Sequence, residues 1–371
     1  MYARRAGSVL LFSLVIVGMV TILTQQLVKS VAVGVSFSTA MVRREQSEML
    51  ALGGITIAIA QLQKGLEPQR TRGVVSDEQK KQEKGFPFAS YIKHIVPLLG
   101  RWQRYDLVKA YDGIDGRIDV CMSAEAGKIP TSLLYDEKKK SITALGQALF
   151  KNFQMKKIIG QGEFLKQLTS FYKKNSATLL DVTALAPLAQ HFSVPLFYEP
   201  HAYEEKKKYD DGPLKPIAVQ DLFTTWYHGK KVSPLLMSDA LCAVIGVRRP
   251  LQSDKQKRAK RYEQLAEQYK NLKRTKGEEM WKGLQLIFDT KPKLSKELLS
   301  FFSLEIEPRF YSVLSCASVN GVKQVVLAVI EQVADKDKDT KPDAGGRAGR
   351  DTQKKRKRKR PSFVIRRLYW V

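Results

Sequence analysis

The chain opens on a long apolar pattern, and alternation appears only near its other end. Residues 8–23 carry no charge. A polar break follows at Thr24, Gln25 and Gln26, and apolar or small residues resume over 27–42, with Lys29 as their one charge. From Arg43, Arg44, Glu45 and Glu48 the pattern turns amphipathic and continues so to Leu62. No proline lies between Ser8 and Glu67, so nothing forces a kink. The pattern predicts one helix over about 8–63, roughly 80 Å long at about 1.5 Å per residue. Gly53 and Gly54 are its weakest point, each costing about 1 kcal/mol against alanine. The uncharged run of about sixteen residues is shorter than the roughly 20 that cross a membrane. The span therefore extends over 24–28, and Lys29 snorkels outward. Arg4 and Arg5, just before the run, hold the N-terminus on the cytoplasmic side.

Beyond the helix, 66–85 is a charged connector, and Pro68 marks its start. Residues 86–108 are apolar and aromatic, split by Pro97 into two short elements. Two close turns over 111–116 lead into an alternating strand over 117–122. Residues 141–190 have helical spacing, divided at Gly160 and Gly162. A charged loop over 201–212 precedes a helix over 217–226 and another over 235–245, the latter opened by Pro234 with Ser233 as its cap. Residues 255–279 are so charged that they predict a solvated helix, not a core element. The period then changes. Residues 309–315 and 322–329 read as strands around Asn320 and Gly321, a strong hairpin signal. The tail over 333–371 is polar, then basic, and reads as flexible. Its last nine residues are apolar and basic, fitting a final strand or a membrane-surface contact.

Charge changes the picture more than composition does. The net charge is +26 and the isoelectric point about 9.8. Lys354, Lys355, Arg356, Lys357, Arg358, Lys359 and Arg360 form one unbroken run. Such a run attracts anionic lipid or nucleic acid, against the plainer reading of a solvated tail. Cys121, Cys242 and Cys316 lie far apart, without metal-ligand spacing, and read as buried thiols. His94, His191, His201 and His228 are equally scattered. There is no nucleophile elbow, phosphate loop or paired-histidine motif, so the expectation is a protein that is not an enzyme and holds no cofactor. Asp112, Asp115 and Asp119 are the only metal candidates, for calcium. They lack the EF-hand order, and Asp-Gly turns account for them.

The leader MYARRAG followed at once by a long apolar helix resembles the class III signal of type IV pilins and pseudopilins. The resemblance implies cleavage between Gly7 and Ser8 by a prepilin peptidase, with the helix kept. Most of that family carries glutamate at the fifth mature position, where this chain has Phe12. That departure, the segment DGIDGRIDVCMSAEAGKIPTSLL and the closing hairpin over 310–330 resemble the K-type minor pseudopilins of type II secretion. An atypical minor type IV pilin is the near alternative. The resemblance implies an α+β fold: a transmembrane helix packed on a small antiparallel sheet, with a large helical insertion. It implies a leader over 1–7, the helix over 8–65, a connector over 66–85, a strand domain from 86–125 and 303–332, and an inserted domain over 126–302. The tail over 333–371 lies outside that plan. It further implies a single pass through the bacterial inner membrane, with the main domain periplasmic. The partners it implies are other minor pseudopilins or pilins and the inner-membrane assembly platform, and the role is initiation at a filament tip in support of secretion. Against this stand a DNA-binding or DNA-uptake pilus component, motivated by the charge, and a plain membrane-anchored scaffold. A cleaved secretory signal ending near Ser36, Ser38 and Ala40 is the remaining reading, and the apolar run outlasts it.

Overall fold

The computed structural model of the chain describes residues 3–66, 87–136, 138–152, 169–173, 182–186, 189, 196, 218–227, 229–247, 255–288, 294–333 and 362–371. Helix α1, Ala3–Leu66, is continuous. Its two halves differ in what surrounds them. Every residue over 11–42 is exposed, whereas Ser47, Ala51, Gly54, Ile55, Ala58, Leu62 and Leu66 are buried. That spacing of three and four is one stripe of a helix laid on a flat surface. The last carbonyls are not left bare: Ser90 Oγ donates to Gly65 O at 2.9 Å.

The surface beneath the stripe is a five-stranded antiparallel sheet in the order β1 (Trp102–Leu107), β2 (Gly116–Ala124), β3 (Phe310–Val319), β4 (Val322–Val333) and β5 (Ser362–Trp370). Strand register places Ile118 against Ala317 and Val120 against Ser315. Gly54 of α1 sits directly over them. A Cβ there would lie 2.1 Å from Ser315 Oγ and 2.9 Å from Ile118 Cγ2. The glycine read from sequence as a weak point is where the helix approaches the sheet too closely for a side chain. The β3–β4 hairpin turns at Asn320 and Gly321, both with positive φ (47° and 86°), as a type I′ turn requires.

Between Ala124 and Phe310 the chain leaves the sheet and returns. Two-residue segments Ile129–Pro130 and Phe223–Thr224 pair in parallel, and Tyr135–Asp136 pairs with Ser141–Ile142. Helix α2 (Phe88–His94) precedes the sheet, and α3 (Ala144–Asn152), α4 (Asp239–Ile245), α5 (Lys255–Leu272) and α6 (Gly277–Gly283) lie in the insertion. Backbone bonds tie the insertion to the end of β2: Ser233 N donates to Ala126 O at 2.9 Å, and Ser238 N to Gly127 O at 3.2 Å. The result is an α+β, pilin-like fold: a long N-terminal helix on an antiparallel sheet, with helical insertions.

Four sequence expectations need correction. The helix expected over 217–226 is one turn, Val219–Leu222, because Phe223 turns extended to pair with Ile129. The helix expected over 235–245 is broken: Pro234–Leu236 is a single 3-10 turn, and Met237 and Ser238 are not helical. Ser233 caps nothing by its side chain. Ser238 is the cap, its Oγ accepting from Leu241 N at 3.1 Å. Helix α5, expected to be solvated, buries Tyr262, Leu265, Ala266, Tyr269 and Leu272. Its apolar residues are few but share one face, and Tyr269 stacks on Phe88 of α2 at 5.0 Å. Finally, the tail expected to be flexible over 333–371 contributes β5 at Ser362–Trp370, so of the two readings of its last nine residues the final strand is the one the structure shows. Ladder pairing from Val333–Ser362 to Val326–Trp370 fixes that stretch as a strand.

Candidate functional site: the exposed half of the long helix

Among the described residues, the longest exposed stretch is the surface of α1 over 11–42. A helix of this kind needs its polar side chains satisfied before it enters an apolar phase. Thr21 Oγ1 donates to Val17 O, Thr24 Oγ1 to Val20 O, Ser36 Oγ to Ala32 O and Thr39 Oγ1 to Val35 O, each at 2.8 Å. Each hydroxyl is thus bonded back onto its own helix. Around them Leu11, Leu14, Leu23, Val33 and Phe37 stand outward. Among the described residues one helix, Leu11–Leu66, is long and apolar enough to cross a membrane, as a single-pass anchor requires.

The sequence-predicted processing residues Arg4, Arg5, Gly7 and Ser8 lie in the first turns of α1, where side-chain placement is outside the described residues. Phe12 stands on the exposed surface, 68% accessible. No carboxylate occupies that position, and its ring offers apolar contact only.

The metal candidates are engaged elsewhere. Asp112 Oδ2 accepts from Val108 N at 2.8 Å, and Asp115 Oδ1 accepts from Lys109 N at 2.7 Å. Both tie down the turn between β1 and β2. Asp119 is buried on β2 and pairs with Arg104 at 2.9 Å and Arg117 at 3.0 Å. Among the described residues, no group of three His, Cys, Asp or Glu side chains is placed to hold a metal ion. None of the three cysteines forms a disulfide; Cys242 and Cys316 are buried and Cys121 is half-buried. Burial first, and then the Asp119 carboxylate, pushes the Cys316 thiol up to about 11, although Arg117 pulls the other way. His94 ends α2, while His191, His201, His228 and the basic run Lys354 to Arg360 lie outside the described residues.

Two charged clusters escaped the sequence reading. Lys128 and Glu125 are almost fully buried and bond at 2.6 Å. Lys128 Nζ also donates to Ser312 Oγ of β3 at 3.0 Å, while Thr224 and Ser312 hydroxyls donate to Glu125. This network joins three parts of the chain that are distant in sequence: the end of β2, strand β3 and the insertion. In sequence the pair looks like an ordinary i,i+3 surface ion pair, and only the tertiary register buries it. The second cluster centres on Glu331 of β4. It is gripped by Arg309 just before β3, at 2.5 Å, and by Arg366 of β5. Burial alone would raise the Glu331 carboxyl, but the Arg366 and Arg309 guanidiniums outweigh it and leave it below the usual carboxylate range.

Neither cluster resembles a reaction centre: each closes upon itself within the fold. The class this geometry defines is a pilin-like fold, an apolar helix of membrane-crossing length with half its length exposed and the other half laid on a sheet. No protein-family model matches the chain, and no curated protein matches it. Among solved structures it is similar to a chain of the GspK–GspI–GspJ complex of the type 2 secretion system of enterotoxigenic Escherichia coli. The two share 8% identity, over 90% of this chain and 99% of that one, with a TM-score of 0.40. A likeness that loose assigns no family.

Proposed function

We propose that the chain is a minor pseudopilin, anchored in the bacterial inner membrane with its main domain periplasmic. Its uncovered helix packs beside helices of other pilin-like subunits. Its work is mechanical, starting a filament at its tip in support of protein secretion, and it catalyses no reaction. The observation that carries this reading is one of length. The exposed stretch over 11–42 is 32 residues, or about 48 Å at about 1.5 Å per residue. A bilayer core covers about 30 Å of it. About 18 Å of apolar helix, roughly twelve residues, then remains above the lipid before the chain's own sheet begins. A simple anchor has no use for such a stretch, whereas neighbouring apolar helices bury it. Phe12 supports a terminal position in the filament. An apolar ring there offers no charge to neutralise the amino terminus of another subunit.

The N-terminus of the protein purified from cells that contain the prepilin peptidase tests the processing step. Ser8 is the expected first residue, and substitution of Gly7 leaves the leader in place. Recovery of intact Met1 from peptidase-containing cells overturns the reading.

A further inference from the structure

Strand β5 is the last strand of the sheet, and no described strand lies outside it. Its pairing with β4 is complete to the end, since Val371 N donates to Val325 O at 3.0 Å. That bond fixes which way the backbone points. With Trp370 opposite Val326, the peptide groups of Tyr369 and Val371 face β4, and those of Leu368 and Trp370 face outward. Soluble proteins blunt such edges by covering them or keeping them polar. This one keeps exposed apolar residues on either side of a basic centre. Val364, Ile365, Leu368 and Trp370 are between 37% and 49% exposed, and only Phe363 and Tyr369 pack against the core.

We infer that the outer edge of β5 is a docking site for an extended segment of another protein, added as a sixth strand, with carboxylates near its centre. The charge of the edge selects this occupant. Arg366 and Arg367 stand mid-strand, and β5 carries no acidic residue. Arg366 is held by Glu331 at the β4–β5 register shift, whereas Arg367 is exposed on a face of the edge strand, within reach of a side chain on an added strand. A second copy of β5 aligned antiparallel about its midpoint sets Arg366 opposite Arg366 with Arg367 beside it, which is destabilising. Sliding the copies to avoid this sacrifices ladder bonds. A strand with central carboxylates meets no such conflict: its backbone completes the ladder, and its alternate side chains lie against the apolar residues of both faces. This inference does not depend on how the long helix is covered.

The test uses the full chain in detergent micelles and two blocked, fluorescent ten-residue peptides of alternating valine and threonine. One carries two central glutamates and the other two central lysines. The expected result is saturable binding of the glutamate peptide at least tenfold tighter than the lysine peptide, with slowed amide exchange at Leu368 and Trp370. Arg367→Glu reverses the preference. Leu368→Pro, which removes an outward-facing N–H, abolishes both while circular dichroism stays unchanged. Equal affinity for the two peptides, no saturable binding, or an edge occupied instead by a second copy in a salt-insensitive dimer overturns the inference.

Discussion

At the scale of single residues, the fold depends on a few positions whose surroundings invert their ordinary behaviour. Lys128 is a charged side chain in the interior, held there by Glu125 and Ser312. Removing one partner of a buried pair leaves the other uncompensated, at about 3–5 kcal/mol. Lys128→Met should therefore lower stability by about that amount in chemical denaturation, and adding Glu125→Gln should recover part of it. Gly54 behaves in a similar way. Alanine there adds a methyl where Ser315, Ile118 and Val120 already stand, so Gly54→Val should cost about 1–3 kcal/mol or more through overpacking. At Gly53, with nothing within 4 Å of a Cβ, alanine should be neutral or stabilising by up to about 1 kcal/mol. From sequence the two glycines were equivalent. Only the rotation of the helix on the sheet separates them.

At the scale of elements, α1 and the β3–β4 hairpin were legible because each carries a strong local code: an unbroken apolar run, and an Asn-Gly pair between alternating residues. Strands β1 and β2 were partly legible. Helix α5 was misread because charge dominated its composition while five buried residues shared one face. Strand β5 was left open because a nine-residue apolar and basic stretch looks the same beside a membrane or beside β4. The Glu331 cluster makes β5 sensitive to acid. The depressed carboxyl contributes stability that is fully present above about 4.3, the usual unfolded value. It is lost as pH falls through the lower folded value. Arg309 and Arg366 are both largely in water, so screening keeps the contribution small, about 1 kcal/mol. Protection of Ser362–Trp370 against amide exchange should fall relative to that of β2 below about pH 4 in the native chain, and Glu331→Gln should remove that pH dependence. Exchange rates along β5 that fall on acidification as steeply as those of β2 would contradict the clamp.

For the whole molecule, the division of α1 into a bare half and a packed half is the fact from which function is argued. Its bare half was read correctly from sequence as apolar, but hydropathy alone could not say where the chain's own sheet begins. Burial begins at Ser47, so Phe37 and Met41 are uncovered by the protein and lie beyond the reach of a bilayer anchored by the first span. The most direct measurement places a photo-crosslinking residue at Phe37 in the full-length protein, in membranes that also contain the other pilin-like subunits. Packing among neighbouring helices predicts adducts to the N-terminal helix of another subunit, lost when those subunits are omitted. Adducts to lipid alone, or unrestricted labelling of Phe37→Cys by a water-soluble maleimide with all subunits present, would contradict it.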